Sequence, residues 1–158
     1  MLVYIDASWV SDGIDSISWR VYIVLINDAS VTWRIVKQTS VALSQMEAKF
    51  ISASEAIKEM KFIHTTLQDI FKVFELPGTI QKPILLSDNT DAFAFTKQSV
   101  HNVRNKHIDL KYKFIRDEYQ GGLFDIKHVT SKDNLSDLLT KALPRATFEN
   151  FRSNILIV

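Results

Sequence analysis

The sequence contains no cysteine, only four glycines and three prolines, and no long hydrophobic run. Each absence closes a class of function. Without cysteine there is no disulfide, no thiolate nucleophile and no cysteine-ligated zinc, which fits a reducing compartment. A bilayer span needs about 20 consecutive apolar residues, so no membrane partner is expected. The apolar start meets Asp6 at once and is too short for a signal peptide, so secretion is not expected either. A surplus of one charge is missing too. The net charge is +1, so any contact with nucleic acid must rest on a local patch. With 46% hydrophobic and 23% charged residues, the 158 residues read as one soluble domain, 1–158, with a single sizeable core.

What is present begins with two short apolar runs that each end in a carboxylate. Ile84, Leu85, Leu86 and Ser87 lead into Asp88 and Asn89; Leu2, Val3, Tyr4 and Ile5 lead into Asp6. Aspartate is disfavoured in strands and costly to bury unpaired, so one at a strand tip needs a partner or a role. Around these runs the pattern predicts strands over 2–7, 17–26 and 31–36, the last two joined by a tight turn at Asn27 and Asp28. From Ser44 the period changes. Phe50, Ala53, Ile57, Met60, Ile63, Leu67, Ile70 and Phe74 form one stripe of a long helix that Pro77 and Gly78 stop.

After strand 84–87 come a short helix over 91–97, a helix over 106–119 closed by Gly121 and Gly122, and a strand over 123–129. Helical segments around 134–141 and 145–156 finish the chain. The order βββαβαβα predicts an α/β fold with a five-stranded mixed sheet, three antiparallel strands followed by parallel additions, flanked by helices. A right-handed crossover into strand 84–87 makes it parallel to an earlier strand. If that neighbour is strand 2–7, Asp6 and Asp88 stand side by side in the crevice where the connections diverge.

Two more carboxylates join them. Glu47 either closes a capping box with Ser44 or continues the core-facing side of its helix and points at the sheet. Asp137 either compensates a helix dipole or, with Asp133 as the N-cap, is free for chemistry. Clustered carboxylates repel unless cations sit between them, and hard divalent cations are the usual answer. Four of them, from two strand ends and two helix starts, fit a two-metal phosphoryl site.

Several dense motifs support that reading. The chain carries Tyr4–Ile5–Asp6–Ala7–Ser8–Trp9, then Val41–Ala42–Leu43–Ser44–Gln45–Met46–Glu47–Ala48–Lys49–Phe50, then Ser87–Asp88–Asn89–Thr90–Asp91–Ala92. A helix motif, 106–117, and a closing motif, 135–145, follow in order. Over nearly its whole length the chain thus resembles the ribonuclease H domain of copia-type LTR retrotransposon Pol polyproteins.

The resemblance implies a ribonuclease H-like fold and an acidic tetrad of Asp6, Glu47, Asp88 and Asp137. These would hold two Mg²⁺, with Mn²⁺ as a substitute, and cleave the RNA strand of an RNA–DNA hybrid during reverse transcription. It implies a reverse transcriptase domain N-terminal in the same polyprotein and a cytoplasmic particle or nuclear location. The departures from the family pattern are Ser8 for Asp, Lys49 for Glu and Ala142 for Pro. Lys49 lies two residues from Glu47, a spacing that assigns it to another helix face. The alternative is a catalytically decayed or tethering ribonuclease H-like domain; a plain α/β binding module is the rival from another class.

For the substrate, Arg104, Lys106, Lys111, Lys113 and Arg116 form the one local basic patch, suited to phosphate backbones or simply to a solvated helix face. Ser8, Asn89 and Thr90 are polar groups near the tetrad able to reach 2′-hydroxyls. Among the histidines only His128 is a candidate proton shuttle, against a bland reading as a strand residue, and no His spacing suggests zinc.

Overall fold

The computed structural model describes residues 1–8, 19–37, 45–89, 93 and 106–155. β1 (Leu2–Ser8), β2 (Trp19–Ile26) and β3 (Ala29–Lys37) form an antiparallel meander. Its tight turn is Asn27 and Asp28, with φ of +50° and +64°. Short polar side chains of this kind tolerate the left-handed region that a two-residue hairpin demands. Then follow α1 (Gln45–Val73), β4 (Ile84–Ser87), α2 (Lys106–Gln120), β5 (Asp125–His128), a 3-10 helix (Leu135–Leu139) and α3 (Arg145–Ile155). The sheet order is β3-β2-β1-β4-β5, with β1–β4 and β4–β5 parallel. The mixed five-stranded sheet is therefore the one the element order predicts.

Three details bear on the expected elements. The segment around 134–141 is a 3-10 helix of five residues, not an α-helix. The short helix over 91–97 lies outside the described residues except for Phe93, which is buried edge-on to Phe50 at a centroid distance of 5.6 Å. α1 stops before Pro77: Glu75 takes φ +50°, while Leu76 N–H donates to the Phe71 carbonyl at 2.9 Å. α2 closes in the same way, with Gly122 at φ +80° and Leu123 N–H on the Glu118 carbonyl at 3.0 Å. Both are the left-handed ending that satisfies the last carbonyls of a helix.

Helices cover both faces of the sheet. On the α1 and α2 side, Val3, Ile5, Val24, Phe50, Ile57, Met60, Leu85, Ile115 and Phe124 form the larger core. Each such side chain contributes about 1.5–3 kcal/mol by burial. The opposite face is smaller, with Ile23, Leu25, Leu135, Phe151 and Ile155. Ala48, Ser52, Ala53 and Ala56 are fully buried in α1, and their small size lets its backbone approach the sheet. Ser52 fixes that approach: its hydroxyl accepts from Val21 N–H at 3.2 Å and shares its proton between the Asp6 and Val21 carbonyls, both at 2.9 Å. α1 has 29 residues, about 44 Å, whereas a nine-residue strand such as β3 reaches about 30 Å. Its last turns therefore outrun the sheet, and Ile70 and Phe74 of the predicted stripe are exposed.

Candidate active site

β1 carries Asp6 near its carboxyl end, and the residue just beyond β4 is Asp88. The parallel register that sets Leu2 beside Ile84 and Tyr4 beside Leu86, continued, sets Asp6 beside Asp88. Asp137 arrives in the first turn of the 3-10 helix. That helix is pinned to β1 by Asn134, which is fully buried and donates from Nδ2 to the Ile5 carbonyl at 3.2 Å. Asn134 is also the N-cap, accepting from Ser136 N–H at 3.3 Å and Ser136 Oγ at 2.6 Å. Asp133, the expected cap, instead accepts from Thr130 Oγ1 at 2.6 Å. Three strand- and helix-borne aspartates thus meet at one edge of the sheet.

The residue of α1 that reaches them is Lys49. Its ammonium lies 2.5 Å from Asp88 Oδ1 and 3.9 Å from Asp6 Oδ1, and its side chain is only 6% exposed. This corrects the expectation that Lys49 points away from the site. At 3.6 residues per turn, positions 47 and 49 are about 200° apart around the helix, and it is position 49 that shares the buried face of Ala48, Ser52 and Ala53. Glu47 is half-buried, and its charge acts on Lys111 and Tyr112 of α2.

A second cation closes the other side. Lys141 Nζ lies 2.7 Å from Asp137 Oδ2 and 3.7 Å from Asp6 Oδ2. Thr140 Oγ1 donates to Asp6 Oδ2 at 2.8 Å, and Ser131 Oγ to Asp88 Oδ2 at 3.3 Å. Burial raises the pKa of Asp137; the Lys141 hydrogen bond opposes this, and the Asp6 charge adds to it. Burial alone would lower the pKa of Lys141, yet the bond to Asp137 and the charges of Asp6, Asp137 and Asp88 raise it. Asp137 Oδ1 is buried with no hydrogen-bond partner among the described residues.

The donor set does not fit a pair of Mg²⁺ ions. Such ions need oxygen atoms at about 2.0–2.1 Å in octahedral array, and ammonium groups occupy the faces where Asp6 meets each of its neighbours. Three carboxylates less two ammonium charges leave a net charge of −1. Among the described residues no group of three acidic or histidine side chains is placed to hold a metal ion.

The expected substrate residues are scattered. Ser8 ends β1 and Asn89 is exposed just past Asp88. Thr90 and Arg104 lie outside the described residues, as does the side chain of Lys106. Lys113 is exposed, but Lys111 is half-buried against α1; its pKa is lowered by burial, with Glu55 pulling the other way. His128 is exposed at the end of β5, paired with Ser87 of β4. Lys49, Asn134, Thr140 and Lys141 are the site residues that motif reading passed over. Their signal was present in part: Lys49 precedes Ala53 and Ile57 at four-residue steps.

The chain is similar to several known proteins. Over 96% of its length the chain is 35% identical to "Retrovirus-related Pol polyprotein from transposon RE1" of Arabidopsis thaliana. It is 31% identical over 92% of its length to the corresponding polyprotein from transposon TNT 1-94 of Nicotiana tabacum. The chain spans about a tenth of the length of these curated relatives. No protein-family model matches it. Among solved structures, LC11-RNase H1 in complex with an RNA/DNA hybrid superposes with a TM-score of 0.57 at 9% identity, over 84% of this chain and 87% of that one. RNase H1 from the archaeon Halobacterium salinarum gives 0.54 at 13% identity, over 85% and 89%. At such identities the likeness is one of fold.

Proposed function

Because the chain belongs to the copia-type retrotransposon Pol polyproteins and carries a ribonuclease H fold, we propose that it is a hybrid-binding domain, engaging RNA–DNA duplexes at the edge where Asp6, Asp88 and Asp137 meet. The observation that carries this reading is the fold, whose solved neighbour holds an RNA/DNA hybrid. Lys141 is half-exposed beside them and Ser131 and Asn89 are exposed, so charged and polar groups line an open rim. Lys113, exposed in the middle of α2, supplies a phosphate contact, and Arg104 and Lys106 belong to the same basic stretch of the sequence. Within a polyprotein, a reverse transcriptase domain N-terminal to this one would generate the hybrid, in the particle or in the nucleus.

Hydrolysis through two Mg²⁺ held by Asp6, Glu47, Asp88 and Asp137 is the reading this donor set favours least, since the face between Asp6 and Asp88 holds an ammonium. Binding without divalent ions is the property to measure. Fluorescence anisotropy with a labelled RNA–DNA hybrid, with DNA and RNA duplexes as competitors, tests it in the presence of a chelator. Preferential binding of the hybrid, with an affinity that falls as salt rises and a slope reduced by Lys113→Ala, is expected. Equal affinity for all three duplexes would sink the proposal.

A further inference from the structure

Asp6 presents its two oxygens to two different cations. Oδ1 faces Lys49 together with Asp88 Oδ1, and Oδ2 faces Lys141 together with Asp137 Oδ2. These are the two places in the cluster where one ion could bridge a pair of carboxylates, and each is taken by an ammonium. The two occupants are not equivalent. Lys141 is 47% exposed and can turn into solvent, whereas Lys49 is 6% exposed and lies on the helix face pressed to the sheet by Ser52. A buried ammonium is costly to leave without its carboxylate partners.

We infer that Lys49 is the resident cation of this centre, permanently replacing a divalent ion between Asp6 and Asp88, so that hybrid held at the rim is bound and not cut. The inference rests on the same site as the proposed function but needs no substrate for its test. Lys49 neutralises the like-charge repulsion that would otherwise make a metal ion the stabilising partner of these carboxylates. One side chain therefore separates the centre from a metal-binding one. An acidic side chain at position 49 would turn the face between Asp6 and Asp88 from one that repels a cation into one with three carboxylates.

The test is a calorimetric titration with Mn²⁺ alone, on wild type, Lys49→Glu and the double variant Lys49→Glu/Asp88→Asn. Lys49→Glu is expected to bind one more Mn²⁺ per chain than wild type, at least tenfold tighter than any binding wild type shows, and the double variant is expected to lose that ion. Lys49→Gln keeps the length and removes the charge, and carries the same comparison should Lys49→Glu fail to fold. Equal Mn²⁺ stoichiometry in wild type and in the folded variant would overturn the inference. Hybrid anisotropy on the same wild-type protein keeps the two readings apart: lost hybrid preference with a gained metal site removes the proposed substrate and leaves the role of Lys49 standing.

Discussion

The two sides of Asp6 hold the same charge in different ways. On the α1 side Lys49 is sealed in, one contact at 2.5 Å and one at 3.9 Å; on the 3-10 helix side Lys141 reaches in from the surface. A desolvated ammonium is costly wherever it loses a partner. A half-exposed one exchanges its carboxylate for water at little cost. Two lysines that look alike in a charge count are thus a structural part on one side and an exchangeable one on the other.

The sharpest way to break that contrast is to remove the sealed cation. Lys49→Ala leaves Asp6 and Asp88 facing each other and is expected to cost about 3–5 kcal/mol, read as a lowered midpoint of urea unfolding at pH 7. A loss no larger than that of Lys141→Ala would erase the distinction. Asp88→Asn comes next. Lys49 keeps Asp6 at 3.9 Å, so the loss is expected to be smaller, about 1–3 kcal/mol. In a purely acidic cluster the same change would relieve repulsion and stabilise the fold, so the sign of this one measurement separates the two descriptions.

Much of the frame behind these predictions is legible in the residues. The two apolar runs ending in Asp6 and Asp88, the meander and the α1 stripe all follow from period and turn chemistry. Lys49 was hidden for a physical reason. Phe50, Ala53, Ile57 and Met60 mark one half of the buried arc of α1, Ala48, Ser52 and Ala56 mark the other, and Lys49 lies between them. Small and polar residues barely register in an apolar period, so the arc looked narrower than it is. The N-cap of the 3-10 helix was missed differently: Asp133 and Asn134 are adjacent and both good caps, and only the backbone decides that Asn134 holds Ile5.

Smaller effects sharpen the open side. Lys141→Ala is expected to cost about 0–1 kcal/mol, because the side chain is nearly half-exposed. The same urea midpoints check this. Asp137 adds a pH signature. Burial lifts its folded pKa above the ordinary aspartate value, so below neutrality the native state takes up that proton before the unfolded chain does. Its ionised form costs stability at neutral pH, and the cost fades as pH falls toward 3.8. The stability difference between wild type and Asp137→Asn should therefore move in favour of wild type as pH falls from neutrality toward the ordinary carboxylate range. A difference that stays constant over that range would show that Asp137 ionises as it does in the unfolded chain.

The bonds that close this centre also span the longest stretches of chain. Thr140 and Asp6 are 134 positions apart, Asn134 and Ile5 129, whereas the β2–β3 hairpin turns on two residues. Closing long loops carries an entropy cost that only late contacts repay, so the hairpin and α1 have a head start and the aspartates meet near the end of folding. Contacts made after the rate-limiting step govern how fast a protein opens, not how fast it closes. Thr140 and Asn134 are then a latch: losing their bonds quickens the release of the 3-10 helix from β1 while the speed of folding hardly changes.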